Sequence, residues 1–432
     1  MLSTAARAYA RTWPLLLCWF LAGWTARLLL LRLAAAVGNE LPLVGQLILP
    51  LAVIARLASY VAMFLVLRSA LPNVADADAA GQGARGFLRR WGSAVSAAIL
   101  PFFVIYAAWG MVSEDSRDYA SAALDQTDFL GGETTSALDV VVDVYSLAVV
   151  VVAFAARWLL QRFAARLPGW TAAVSAYLEA VWVLVALLVL RELFGGVPGW
   201  LATRRMFAPL VDTVTLWRDE QLWFRGLGDA LAWLATLLGD VVFQPLAWVA
   251  LAAVVYARTR AVEHRPTTNP RMLRARAAVT ERWARLPRWM RGALTSITGG
   301  FQERWLPIAG SLRLIWAAGP LALGGFLLAY ALVHAAGEWL SVALFRMLGP
   351  HDFGFWTAVD DPIGLLVVAL VVPVQLSLVS SVYDTALARS PHPIGTETTD
   401  DTATDPADAD AASASPVTPD AGGTPTAAAP GR

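Results

Sequence analysis

The chain has no lysine: all 33 of its basic residues are arginine. It has a single cysteine, Cys18, and only 15% of its 432 residues are charged. Each scarcity excludes something. A lone cysteine allows no intramolecular disulfide, so any segments outside a membrane are held by packing alone. Charge this sparse argues against a soluble globular chain, which carries about 25%. There is no P-loop, which rules out the motor of an ATP-driven pump. G-x-S-x-G and S-x-x-K nucleophile motifs are missing too. No catalytic residue, cofactor or metal is expected. Arginine as the sole strong base, among abundant Ala and Val, is the composition of a high-GC bacterial genome.

What is present is hydrocarbon. The chain is 57% hydrophobic with a mean hydropathy of +0.56. Eight apolar runs recur, at about 12–31, 47–67, 91–112, 140–157, 172–191, 241–257, 314–336 and 363–385. Each approaches the ~20 residues that cross a ~30 Å hydrocarbon core. The run 241–257 is short and can borrow from Ala230–Gly239 before it. The first run is read as a retained helix: Arg27 and Arg32 follow it without a clean cleavage site. The expectation is an all-α polytopic membrane protein of about eight transmembrane helices arranged as hairpins. Amphipathic interface helices and a disordered C-terminal tail complete it.

Arginine bias sets the expected orientation. With the N-terminus in the cytoplasm, 23 arginines fall on the inner side and nine on the outer, counting Arg27 among the nine. Both termini are then cytoplasmic, in the inner (plasma) membrane. Six spans occupy residues 1–257, a cytoplasmic basic segment 258–313, a two-span hairpin 314–389 and the tail 390–432. The segment Ser113–Asp139 is an outer acidic loop with seven carboxylates and one arginine. In Leu216–Leu238, Trp217, Trp223, Leu227, Leu231, Leu234 and Leu238 share a helical face, as in a helix lying at the outer interface.

A repeat runs through the spans. Odd-numbered ones carry an apolar residue four before a ring: Phe20/Trp24, Phe102/Tyr106, Leu178/Trp182 and Phe326/Tyr330. Three even-numbered ones carry a proline ten or eleven residues before a tyrosine: Pro50/Tyr60, Pro245/Tyr256 and Pro373/Tyr383. This predicts four parallel hairpins, 12–68, 91–162, 172–258 and 314–389.

Segment 258–313 holds twelve arginines against three glutamates. Within it Arg271, Arg274, Arg276, Arg282, Arg285, Arg288 and Arg291 are interleaved with Trp283 and Trp289. That composition belongs to a helix in an anionic headgroup layer, where each basic residue gains about 1 kcal/mol. Anionic lipids are therefore the expected partner, with other envelope membrane proteins a further one and nucleic acid excluded. The tail, with seven carboxylates and one arginine, buries no core; it either only solubilises the chain or competes with lipid for the basic segment.

Four polar residues fall inside expected spans: Arg56, Asp143, Glu179 and Asp240. An unpaired arginine at mid-span costs at least ~2.5–3.5 kcal/mol. Arg56 is therefore expected to pair with Asp143, Glu179 or Asp240. His334, Glu338 and His351 offer a metal set only on paper, without an H-E-x-x-H motif. Asp360-Asp361-Pro362 reads as the N-cap of a proline-started helix. The leading functional expectation is a non-enzymatic, transport- or assembly-related envelope component. The alternatives are a transferase-like enzyme acting on lipid-linked substrates through Glu114, Asp115 or Asp118, and a channel.

Overall fold

The computed structural model describes residues 1–74, 83–127, 144–163, 166–168, 170–202, 204, 222–259 and 319–389. They lie within one compact unit, Met1–Ser390. Among them every regular element is helical. The helices are α1 (Leu2–Glu40), α2 (Pro42–Arg68), α3 (Gly83–Ala108), α4 (Met111–Asp125), α5 (Val144–Arg162) and α6 (Thr171–Ala202). After them come α7 (Leu222–Leu238), α8 (Gln244–Thr259), α9 (Pro320–Leu348) and α10 (Phe353–Ala388). A π-helical turn, Gly239–Phe243, joins α7 to α8.

Seven described helices are long and apolar enough to cross a membrane. The fourth expected run, 140–157, lies partly outside the described residues, and its remainder falls in α5. Several boundaries move. The first span, expected at 12–31, extends to Leu2–Glu40, which leaves Arg27 well inside the helix. The interface helix expected at Leu216–Leu238 is instead continuous with α8 through the π turn, and Gly226–Tyr256 counts as one span. α10 starts at Phe353 with Asp352 at its N-cap position. Asp360, Asp361 and Pro362 therefore sit within the helix, because the apolar pattern begins about two turns upstream.

The bundle is built on α1 and α2, which turn back on each other at Leu41 and pack along their length. Small residues allow the close approach. A Cβ on Gly23 would stand 2.2 Å from that of Ser59, and one on Gly45 would stand 2.6 Å from the Cα of Gly38. α10 packs against α1, α2, α8 and α9, while α3 packs against α8. Three proline-bearing helices meet in the core. Tyr60 of α2 lies edge-on to Trp248 of α8 at 5.2 Å, and Tyr256 of α8 lies 5.4 Å from Tyr383 of α10. The Tyr256 hydroxyl pairs with Ser380 Oγ at 2.8 Å. Outward faces are apolar: Leu321, Leu328, Leu332 and Trp339 of α9 are all exposed. A surface of that kind suits hydrocarbon better than water.

α4 differs from the rest. It is short and polar, reading MVSEDSRDYASAALD, and follows α3 after Gly110, whose φ is +72°. A left-handed residue costs glycine nothing and breaks the helix there. α4 then runs along the second half of α1, from the Arg27–Asp115 contact to a bond from Asn39 Nδ2 to the Ala123 carbonyl (3.5 Å). Between these, Leu31, Ala34 and Ala35 pack on Tyr119 and Ala123.

Candidate functional site

Arg27 stands fourteen residues before the Leu41 turn and Arg56 fifteen after it. At 1.5 Å per residue both lie about 21–22 Å from the turn, side by side on antiparallel helices. Both are buried, with side chains 2% and 7% exposed. Two unpaired guanidiniums there would be prohibitively expensive. The first turns of α4 supply the counter-charge. Arg27 Nε donates to Asp115 Oδ1 at 2.8 Å, and its Nη2 reaches both Asp115 and Asp118. Arg56 Nη2 donates to Glu114 Oε1 at 2.8 Å and lies 3.4 Å from Asp115 Oδ1. Tyr106, near the end of α3, donates its hydroxyl to Asp115 Oδ2 at 2.7 Å. Trp24 covers Arg27, its ring centre 5.2 Å from Cζ, a cation–π contact.

Asp115 is thus the hub, buried and bonded through both oxygens. Glu114 and Asp118 are half exposed, at 47% and 44%. The network has two positive and three negative groups, a formal surplus of one negative charge. The three carboxylates are close enough to converge on a metal ion. Each already accepts from a guanidinium through at least one oxygen, which makes the arrangement an ion-pair network.

Two spaces flank the network. On the Leu41 side a cavity of about 230 Å³ lies between α1, α2, α3, α4 and α6. Leu49, Val53, Leu184 and Leu188 give it an aliphatic wall, and Asp115, Tyr106, Ser116 and Gln46 its polar positions. On the opposite side, between Phe20, Trp24, the two arginines and Tyr60, only about 10 Å³ remains, room for one water at most. Beyond that the rings of Tyr60, Phe102 and Trp248 pack together.

The polar residues expected within spans separate. Arg56 is in the network, but Glu179 and Asp240 are not among its partners. Glu179 is buried on α6 and pairs with Arg157 of α5 at 3.3 Å. Asp240 is exposed on the π turn. Asp143 lies outside the described residues, as does the whole Arg271–Arg291 lipid-binding set. The correction has a simple cause. The break at Gly110 carries Glu114, Asp115 and Asp118 into the bundle, where the sequence reading had left them in a loop. His334, Glu338 and His351 are exposed, and His351 stacks on Phe355 at 4.0 Å. Arg27 and Tyr106 were missed as site residues. The equal spacing of Arg27 and Arg56 from the turn was the available signal. A further polar contact, Asn73 to the buried Asp384 (2.8 and 3.1 Å), fastens the segment after α2 to α10.

Compared with protein-family models, curated proteins and solved structures, the chain matches none.

Proposed function

We propose that the chain is a multi-pass membrane protein of the bacterial cell envelope, transport- or assembly-related and not an enzyme. Its working site is the Arg27–Arg56–Asp115 network with the adjoining cavity. The observation that carries this reading is the interrupted helix. α3 ends and the polar α4 begins beside two buried arginines, about halfway along α2. Discontinuous helices at mid-depth, with charged groups beside an inter-helix cavity, are how transport folds build substrate sites. Polar segments at that depth persist only where they are buried in protein or line a wet space.

The enzyme reading is weaker for a chemical reason. A general base needs a free lone pair and a proton affinity suited to its task. Asp115 is bonded through both oxygens, to Arg27 and Tyr106, and Glu114 and Asp118 each already accept from a guanidinium.

Further features belong to the same proposal. There are eight spans in four parallel hairpins, both termini in the cytoplasm, and an Arg/Trp segment docked on anionic lipid. The repeat draws support from the ring pairs Phe20/Trp24, Phe102/Tyr106 and Phe326/Tyr330, each in contact at 6.0–6.1 Å. With the N-terminus inside, the Leu41 turn and the cavity face outward.

Accessibility tests this. In a Cys18→Ser background, single cysteines replace Gln46, Leu49 and Tyr60. A membrane-impermeant thiol reagent applied outside should label positions 46 and 49 and spare 60. Equal labelling from both sides, or at none of the three, would sink the reading.

A further inference from the structure

The polar part of the cavity wall carries one sign. Among the described residues Asp115 is the only charged one that lines it; both guanidiniums sit behind that carboxylate and line the smaller space on its far side. The remaining polar positions, Tyr106, Tyr119, Ser116 and Gln46, all bring an oxygen that can accept a hydrogen bond. The other described residues on the wall are leucine and valine, drawn largely from α2 and α6. On α2 the lining positions Gln46, Leu49 and Val53 share one helical face, which continues to Arg56. From 46 to 53 is about 10 Å along the axis. At about 230 Å³ the cavity is half as large again as an apolar cavity of about 150 Å³ that takes up benzene.

We infer that this cavity is a binding site for a small lipophilic monocation. An apolar body of six to eight heavy atoms lies along the α2–α6 wall, and a cationic group faces Asp115. The inference rests on the reading of the cavity as the working site. Three features select the ligand together. Aliphatic walls favour hydrocarbon. The surplus negative charge of the network favours one positive charge and disfavours a negative one. The depth of Asp115 keeps that preference little screened by salt. A neutral hydrocarbon satisfies only the first feature, and an organic anion is opposed by the second.

The test uses the full-length protein in neutral-lipid nanodiscs and three probes of one chain length: hexyltrimethylammonium, hexanol and hexanesulfonate. Equilibrium dialysis should show saturable, one-to-one binding of the ammonium, at least tenfold tighter than either other probe. Val185→Trp fills the cavity from the α6 wall and should abolish binding while thermal unfolding stays cooperative. Asp115→Asn removes the charge on the wall and should erase the preference for the cation. Because that variant strips a buried arginine of its partner, Val185→Trp carries the test if Asp115→Asn does not fold. Hexanol binding as tightly as the ammonium would mean a site for hydrocarbon alone and overturn the inference, as would preferred binding of the sulfonate. Ammonium binding that survives Val185→Trp would also overturn it. One-sided labelling at 46 and 49 without cation binding would leave the transport reading standing and remove only this ligand class.

Discussion

Arg27 and Asp115 are bound through two guanidinium nitrogens, one of them at 2.8 Å, and this contact docks a polar helix inside an apolar bundle. Both side chains are almost wholly buried. Such a pair adds little net stability against a hydrophobic replacement, but losing one partner leaves an uncompensated charge. Asp115→Ala should therefore cost about 3–5 kcal/mol. Arg27→Met combined with Asp115→Leu should recover most of that loss. Denaturant titration of the purified protein in detergent reads both, and additive losses in the double variant would refute the coupling.

Glu114 and Asp118 both contact Arg27 yet face outward over nearly half their side-chain surface. Solvent-exposed pairs contribute roughly 0–1 kcal/mol. Asp118→Asn should leave stability within that range. Denaturant titration in detergent reads it, and a loss of about 3 kcal/mol or more, as for a buried pair, would refute it.

Close packing of α1 on α2 predicts a strong dependence on Gly23. A Cβ there meets Ser59 Cβ at 2.2 Å, whereas one at Gly92 meets nothing within 4 Å. Gly23→Val should destabilise by about 1–3 kcal/mol, as overpacking does. Gly92→Ala should be neutral or slightly favourable, since alanine suits a helix better. Thermal unfolding of the two variants side by side decides it.

Much of this architecture was legible before any coordinates. Runs of apolar residues mark helices directly, because a membrane span has to satisfy its backbone internally. The conspicuous cost of Arg56 was legible too, but its partner was not. Pairing by depth assumed that carboxylates must come from other spans. The break at Gly110 turns on one backbone angle, which neither hydropathy nor charge counting registers. Once α3 stops there, Glu114 and Asp115 stand beside Arg56, and Glu179 is left for Arg157. The long first helix hid Arg27 for a related reason. Its apolar surroundings continue to Ala36, and Arg32 blurs where a span should end.

The charge of segment 258–313, twelve arginines against three glutamates, opposes that of tail 390–432, seven carboxylates against one arginine. Both fall on the cytoplasmic side in the proposed orientation. Deleting 390–432 should raise crosslinking of the basic segment to anionic vesicles. Replacing Arg282, Arg285 and Arg288 with glutamine should weaken vesicle binding by about 3 kcal/mol in all at low salt. Unchanged protease protection of the segment in the tail deletion would dispose of the competition.

Gly110 permits the sharpest test of the broken helix. Its φ of +72° is open to glycine, tolerated by asparagine and strained for other residues by about 1–2 kcal/mol. No neighbour would touch a Cβ at that position, so any effect of substitution is a backbone effect and not a clash. Stability should fall in the order glycine, asparagine, alanine, valine. The same order should govern the site, because a residue that prefers to continue α3 pulls Glu114 and Asp115 away from the arginines. In Gly110→Val, a cysteine at position 53 should then label faster from outside than in the parent, as the network loosens next to the cavity. In Gly110→Asn its rate should stay near the parent's. Equal rates and equal stabilities across all four residues would mean that the left-handed turn does not hold α4 in place.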